Sequence, residues 1–75
     1  MVELAFGITV DPTVRFGKAV IRGTRVPVDT VVARVASGMT IQKVAEEYGI
    51  TVEDVYNSLR YAAQRLAEEQ IWMSR

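Results

Sequence analysis

Arg22 and Arg25 are the residues of this chain best equipped to engage another molecule. They flank Gly23-Thr24, and a two-residue loop with glycine first suits a type II′ hairpin turn. On such a hairpin the two guanidinium groups face each other, a placement that disfavours pairing by about 0.2–1 kcal/mol. A phosphate would relieve the repulsion, because guanidinium grips it with paired bonds. An internal carboxylate, such as Asp29 or an acid on the last helix, would relieve it equally. Lys18 adds a third cation just upstream. A second set of candidates is Lys43, Thr51, Asn57 and Arg60. Asparagine and arginine can read adenine and guanine edges, so both sets are candidate DNA contacts. Catalysis has less to work with. Cysteine and histidine are both absent, which removes the thiol nucleophile, the commonest metal ligand and the commonest general base. No cluster of carboxylates, hydroxyls and lysine replaces them, so neither enzymatic activity nor a cofactor is expected.

The stretch Thr40 to Arg60 must position the second set. Thr40 can cap a short helix on which Ile41, Val44, Ala45 and Tyr48 share one side. Gly49 stands where that helix must stop in a left-handed conformation. Thr51 caps the next helix, with Asp54 three residues on as a capping box. Ala45 lets two helices cross closely, and Ile50 fills the space beneath the turn. This is the helix-turn-helix pattern. In a DNA reader the start of the second helix enters the major groove, exposing Thr51, Glu53, Asp54, Tyr56, Asn57 and Arg60. Glu53 and Asp54 work against phosphate, so the unit reads as a packing scaffold or as a DNA reader. Tyr48 and Tyr56 read as half-buried core with a wet hydroxyl.

The rest of the chain supplies short elements. Residues 1–7 have no strong periodicity and read as an irregular lead-in, or as a strand in need of a partner. Ile8-Thr9-Val10 reads as a strand that Asp11-Pro12 ends. Ala19–Ile21 and Arg25-Val26 are the expected hairpin arms, stopped by Pro27. Val28, Val31, Val32 and Val35 form the buried stripe of a helix with Asp29 in its first turn and Ser37-Gly38 at its end. The last helix is expected from Val52 to Glu69, with Val52, Val55, Leu59, Ala62 and Leu66 as its stripe and Ala63 and Ala67 beside it. Ile71, Trp72 and Met73 then either fold onto the core or anchor a protein interface. The expected fold is mainly α in a single domain: a strand and β-hairpin over 1–27, a three-helix helix-turn-helix unit over 28–70, and a tail over 71–75.

Composition bounds the rest. Seventy-five residues, 49% of them apolar, make one small domain with a modest core, for which a homodimer is a reasonable expectation. No apolar run approaches the roughly 20 residues of a membrane span, and no signal peptide is visible, so a cytoplasmic protein without a membrane partner is expected. Nine basic and nine acidic residues cancel but are unevenly spread. Pro12 to Arg34 carries Arg15, Lys18, Arg22, Arg25 and Arg34 against Asp29, whereas acids dominate from Ile41 to Glu69. Such a split suggests partners of opposite charge, or head-to-tail contact between copies.

At Asp11-Pro12, at Gly17-Lys18-Ala19-Val20-Ile21-Arg22-Gly23-Thr24-Arg25-Val26-Pro27-Val28 and at Ser37-Gly38-Met39, the sequence resembles the prokaryotic domain of unknown function 433 family. Its members look like VapB-type antitoxins, small helix-turn-helix proteins. Ala19 stands where the family usually has proline, and Phe16 where a second glycine is common. The resemblance implies a β-hairpin before a homeodomain-like three-helix unit. It also implies an antitoxin that silences a PIN-like ribonuclease toxin and binds DNA as an autoregulator. The residues alone leave open a protein-interaction or oligomerisation module that never touches DNA.

Overall fold

The computed structural model describes residues 2–13 and 17–69. Three strands come first: β1 (Val2–Ala5), β2 (Ile8–Val10) and β3 (Ala19–Ile21). Three helices follow: α1 (Val28–Ala36), α2 (Ile41–Tyr48) and α3 (Val52–Glu68). The strands form one antiparallel sheet in the order β1-β2-β3. The architecture is therefore mixed α/β. It overturns the expectation of a mainly α, homeodomain-like bundle led by a short hairpin.

The difference begins at β1. A half-buried strand announces itself by alternation, but Val2, Glu3 and Leu4 are all exposed, so no face is written into the sequence. The backbone ladder to β2 holds this strand instead, with Val2 opposite Val10, Glu3 opposite Thr9 and Ala5 opposite Ile8. Leu4 is the extra residue of a bulge in that ladder. Phe6 and Gly7 make the turn. Gly7 has φ of 78°, and a Cβ there would lie 2.8 Å from Asn57 Nδ2 on α3. Its amide donates to Glu3 Oε2 at 3.3 Å, and its carbonyl accepts from the Arg22 amide at 2.8 Å. One residue thus joins all three strands to the last helix.

The expected hairpin around Gly23-Thr24 does not form. The turn spans Ile21 to Thr24 with Gly23 third, closed by the Thr24 amide to the Ile21 carbonyl at 3.0 Å. Arg25-Val26 is no strand. The Val26 amide donates to Thr24 Oγ1 at 3.0 Å, and Pro27 has no amide proton, so the returning segment has few donors left for a ladder. What remains is the Ile21 amide donating to the Val26 carbonyl at 3.0 Å and an isolated bridge between Val20 and Pro27.

The helices follow their local signals closely. Thr40 Oγ1 accepts from the Lys43 amide at 3.1 Å, capping α2. Gly49 (φ 65°) ends it, with Ile50 N–H bonded to the Ala45 carbonyl at 3.0 Å and Gly49 N–H to that of Glu46 at 3.4 Å. That is the Schellman pattern. Thr51 and Asp54 exchange bonds of 2.9 and 3.0 Å in a reciprocal capping box at the start of α3.

Ile8 and Ile21 of the sheet bury against Val28 and Val31 of α1, Val44 and Ala45 of α2 and Val55 of α3, so sheet and helices share one core. Each fully buried aliphatic side chain contributes about 1.5–3 kcal/mol. The stripe of α3 enters this core only at its centre. Val55 is buried and Leu59 and Ala62 are half-buried, but Val52 and Leu66 are exposed. The β1–β2 turn covers a second face of the helix at Asn57, which is buried, as is its neighbour Ser58. Tyr48 is half-buried and its hydroxyl accepts from Arg34 Nε at 2.8 Å, whereas Tyr56 is exposed rather than part of the core.

The close approach at Gly7 gives a test. Gly7→Ala combines a disfavoured φ with a clash against Asn57 and should destabilise the fold by about 2–4 kcal/mol. Gly49→Ala, where nothing lies within 4 Å of the added carbon, should cost about 1 kcal/mol. Urea unfolding of the two variants measures the difference, and equal costs would remove Gly7 from its role as junction.

Candidate functional site

Most of the expected DNA contacts are occupied within the chain. Lys18 Nζ lies 2.7 Å from Asp29 Oδ2, tying the segment before β3 to the first turn of α1. Arg22 meets Glu3 Oε2 at 2.9 Å across the sheet, and its guanidinium sits 5.6 Å from the centroid of Phe6, within cation–π range. Arg60 reaches Glu53 Oε2 at 2.7 Å and Asn57 Oδ1 at 2.9 Å. Thr51 is engaged as a cap. Arg25 and Lys43 are exposed and form no ion pair among the described residues. Ile71, Trp72 and Met73 lie outside the described residues.

Arg22 and Arg25 do not oppose each other, because Arg22 lies inside the turn and Arg25 beyond it. The carboxylate that meets Arg22 belongs to Glu3, neither to Asp29 nor to the last helix; Asp29 takes Lys18 instead. Asn57, expected on the exposed reading face, is 6% exposed beneath the β1–β2 turn and cannot reach a base edge without unpacking. The remaining exposed start of α3 presents Glu53 and Tyr56. A phosphate backbone would meet net negative charge there.

A different surface is open. An apolar groove of about 480 Å³ runs between α1 and the C-terminal half of α3, floored by Val28, Val32, Ala33, Tyr61, Ala62 and Leu66. Lys18, Asp29 and Arg65 stand at its rim. Leu66 is a large apolar side chain left 67% exposed among the described residues. The sequence carried part of this signal, in a stripe on α3 that continues past the length of α1. Glu3 as the partner of Arg22 had none, being nineteen residues away. Among the described residues no group of acids could hold a metal ion, and no helix is long and apolar enough to cross a membrane.

The family model described as Protein of unknown function (DUF433) matches residues 8–62, from β2 into the second half of α3. The chain belongs to the DUF433 family. Two solved structures are similar to it. A DUF433 member from Anabaena variabilis ATCC 29413 is 35% identical, with a TM-score of 0.74 over 83% of this chain and 62% of that one. Rv2018 from Mycobacterium tuberculosis is 33% identical, with a TM-score of 0.64 over 69% of this chain and 24% of that one. This DUF433 chain thus spans less than two thirds of the first and about a quarter of the second. No curated protein matches it.

The ion pairs can be tested by acid. The Lys18 ammonium bonded to Asp29 holds its carboxyl below the usual aspartate range. A lowered folded value stabilises the fold above the unfolded aspartate value, about 3.9, and that stability is lost as pH falls through the folded value. Lys18→Ala should raise the Asp29 titration toward the ordinary value, as followed by carboxyl NMR. Its effect on stability near neutral pH should stay below about 1 kcal/mol, because both groups are largely solvated.

Proposed function

We propose that this DUF433 chain is an antitoxin-type protein-binding module of the cytoplasm that holds a PIN-like ribonuclease toxin in the groove between α1 and α3. The groove carries the reading: it gathers apolar side chains from two helices inside a charged rim of Lys18, Asp29 and Arg65, the apolar centre and polar border of a protein contact. The toxin class comes from the family resemblance. Silencing needs no chemistry from this chain, only a contact that occupies the partner's surface.

A second reading keeps a role at DNA. Arg25 and Lys43 are exposed and without acidic partners among the described residues, and α2 and α3 follow one another across a short capped turn. In this reading the cations grip phosphates, while Asn57 is excluded from base contact by its burial. The ion pairs of Lys18 and Arg22 are weak enough, at about 1 kcal/mol or less, to be exchanged for phosphate.

The test uses the product of the adjacent reading frame. It should co-purify with the full chain, and Leu66→Lys should weaken the complex by about tenfold or more, which corresponds to about 1.4 kcal/mol. Unchanged binding by that variant would reject the groove. A chain ending at Gln70 that still binds and neutralises the partner would reject any contact through Ile71 to Met73. For the second reading, a mobility shift on the DNA upstream of the gene should appear at low salt and weaken when Arg25 and Lys43 are both replaced by alanine. No shift with or without the partner would sink it.

A further inference from the structure

We propose that β1 is a homodimerisation edge, along which two copies of the chain join antiparallel into one continuous sheet of twice the width. β1 is the outer strand of the sheet, so its far edge faces no strand among the described residues. An open row of backbone donors and acceptors is a template for another strand. Val2, Leu4 and Phe6, on this strand and its turn, are 57%, 45% and 73% exposed. Their apolar surface does nothing for the core, which begins at Ile8.

The charges select a second copy as the occupant. Sheet edges are commonly blunted by lysine, proline or a covering helix. β1 has no lysine and no proline, and its single charge, Glu3, is neutralised by Arg22 at 2.9 Å. The edge therefore carries no net charge, and an identical edge meets it without repulsion. Every ladder in the sheet is antiparallel, so a two-fold axis perpendicular to the sheet continues the pattern. An axis between Glu3 and Leu4 sets Val2 of each copy opposite Ala5 of the other and Glu3 opposite Leu4. The two carboxylates then avoid the directly opposed position, where like charges destabilise.

The contact is limited in extent. A standard interface buries about 800 Å² per partner, roughly a seventh of the 5442 Å² surface of this chain. A four-residue strand with a bulge at Leu4 covers less than that. The dimer is therefore reversible rather than obligate. It is independent of the groove between α1 and α3, which lies on other residues.

Sedimentation of the full chain over a range of concentrations is the test. The wild type should show a monomer–dimer equilibrium, with slower amide exchange at Val2 to Ala5 as concentration rises. Leu4→Lys, at an exposed site, should keep the monomer's circular dichroism and weaken dimerisation by about tenfold or more. Leu66→Lys, in the groove, should dimerise as the wild type does, so loss of partner binding and loss of dimerisation are separable. A wild type that stays monomeric at millimolar concentration would overturn the proposal. So would a Leu4→Lys variant that dimerises as tightly as the wild type, or a Leu66→Lys variant that does not dimerise.

Discussion

Everything in this structure depends on how closely the β1–β2 turn approaches α3. Three strands of four, three and three residues are too short to stand alone and must be pinned to something larger. The pin is Gly7, a residue with no side chain, set against the Asn57 side chain and bonded through its backbone to Glu3 and Arg22. With the turn that close, Ile8 falls directly into the space among Val31, Val44 and Val55. A side chain at position 7 would lift the turn, and the sheet's contribution to the core would lift with it.

The surface is arranged by the same economy. Net charge is zero, and among the described residues four of the nine cations meet an acid directly: Lys18 with Asp29, Arg22 with Glu3, Arg60 with Glu53 and Arg65 with Glu68. Each pair links segments distant in sequence or successive turns of a helix, and each is solvated enough to contribute little energy. Their effect is on recognition. These pairs leave fewer free cations for a polyanion, chiefly Arg25 and Lys43, while an apolar groove and a strand edge stand exposed among the described residues.

The helices were legible in the sequence because their signals are local. Thr40, Gly49, Thr51 and Asp54 act within four residues of themselves, and the structure uses each of them as the sequence implies. The sheet was less legible, since nothing local marks a strand exposed on both faces, as Val2 to Leu4 are. Glycine and proline near Arg22 suggested a hairpin, but Thr24 took the amide of Val26 and the arm was lost. Asn57 was misplaced for a geometric reason. It lies off the α3 stripe on a helical wheel, which sees one buried face, and the β1–β2 turn covers a second. The groove was half visible, in Ala62 and Leu66 at the end of the stripe, which line it.

The position of Gly7 opposite Asn57 also bears on the birth of the molecule. A ribosome delivers about 5–20 residues per second, so the turn emerges roughly 3–10 s before the helix that receives it. During that interval Ile8 and Ile21 have no complete core to enter, because Val55 has not yet been synthesised. The strands are thus made well before the helix that pins them, and their apolar residues are what a nascent-chain chaperone would meet.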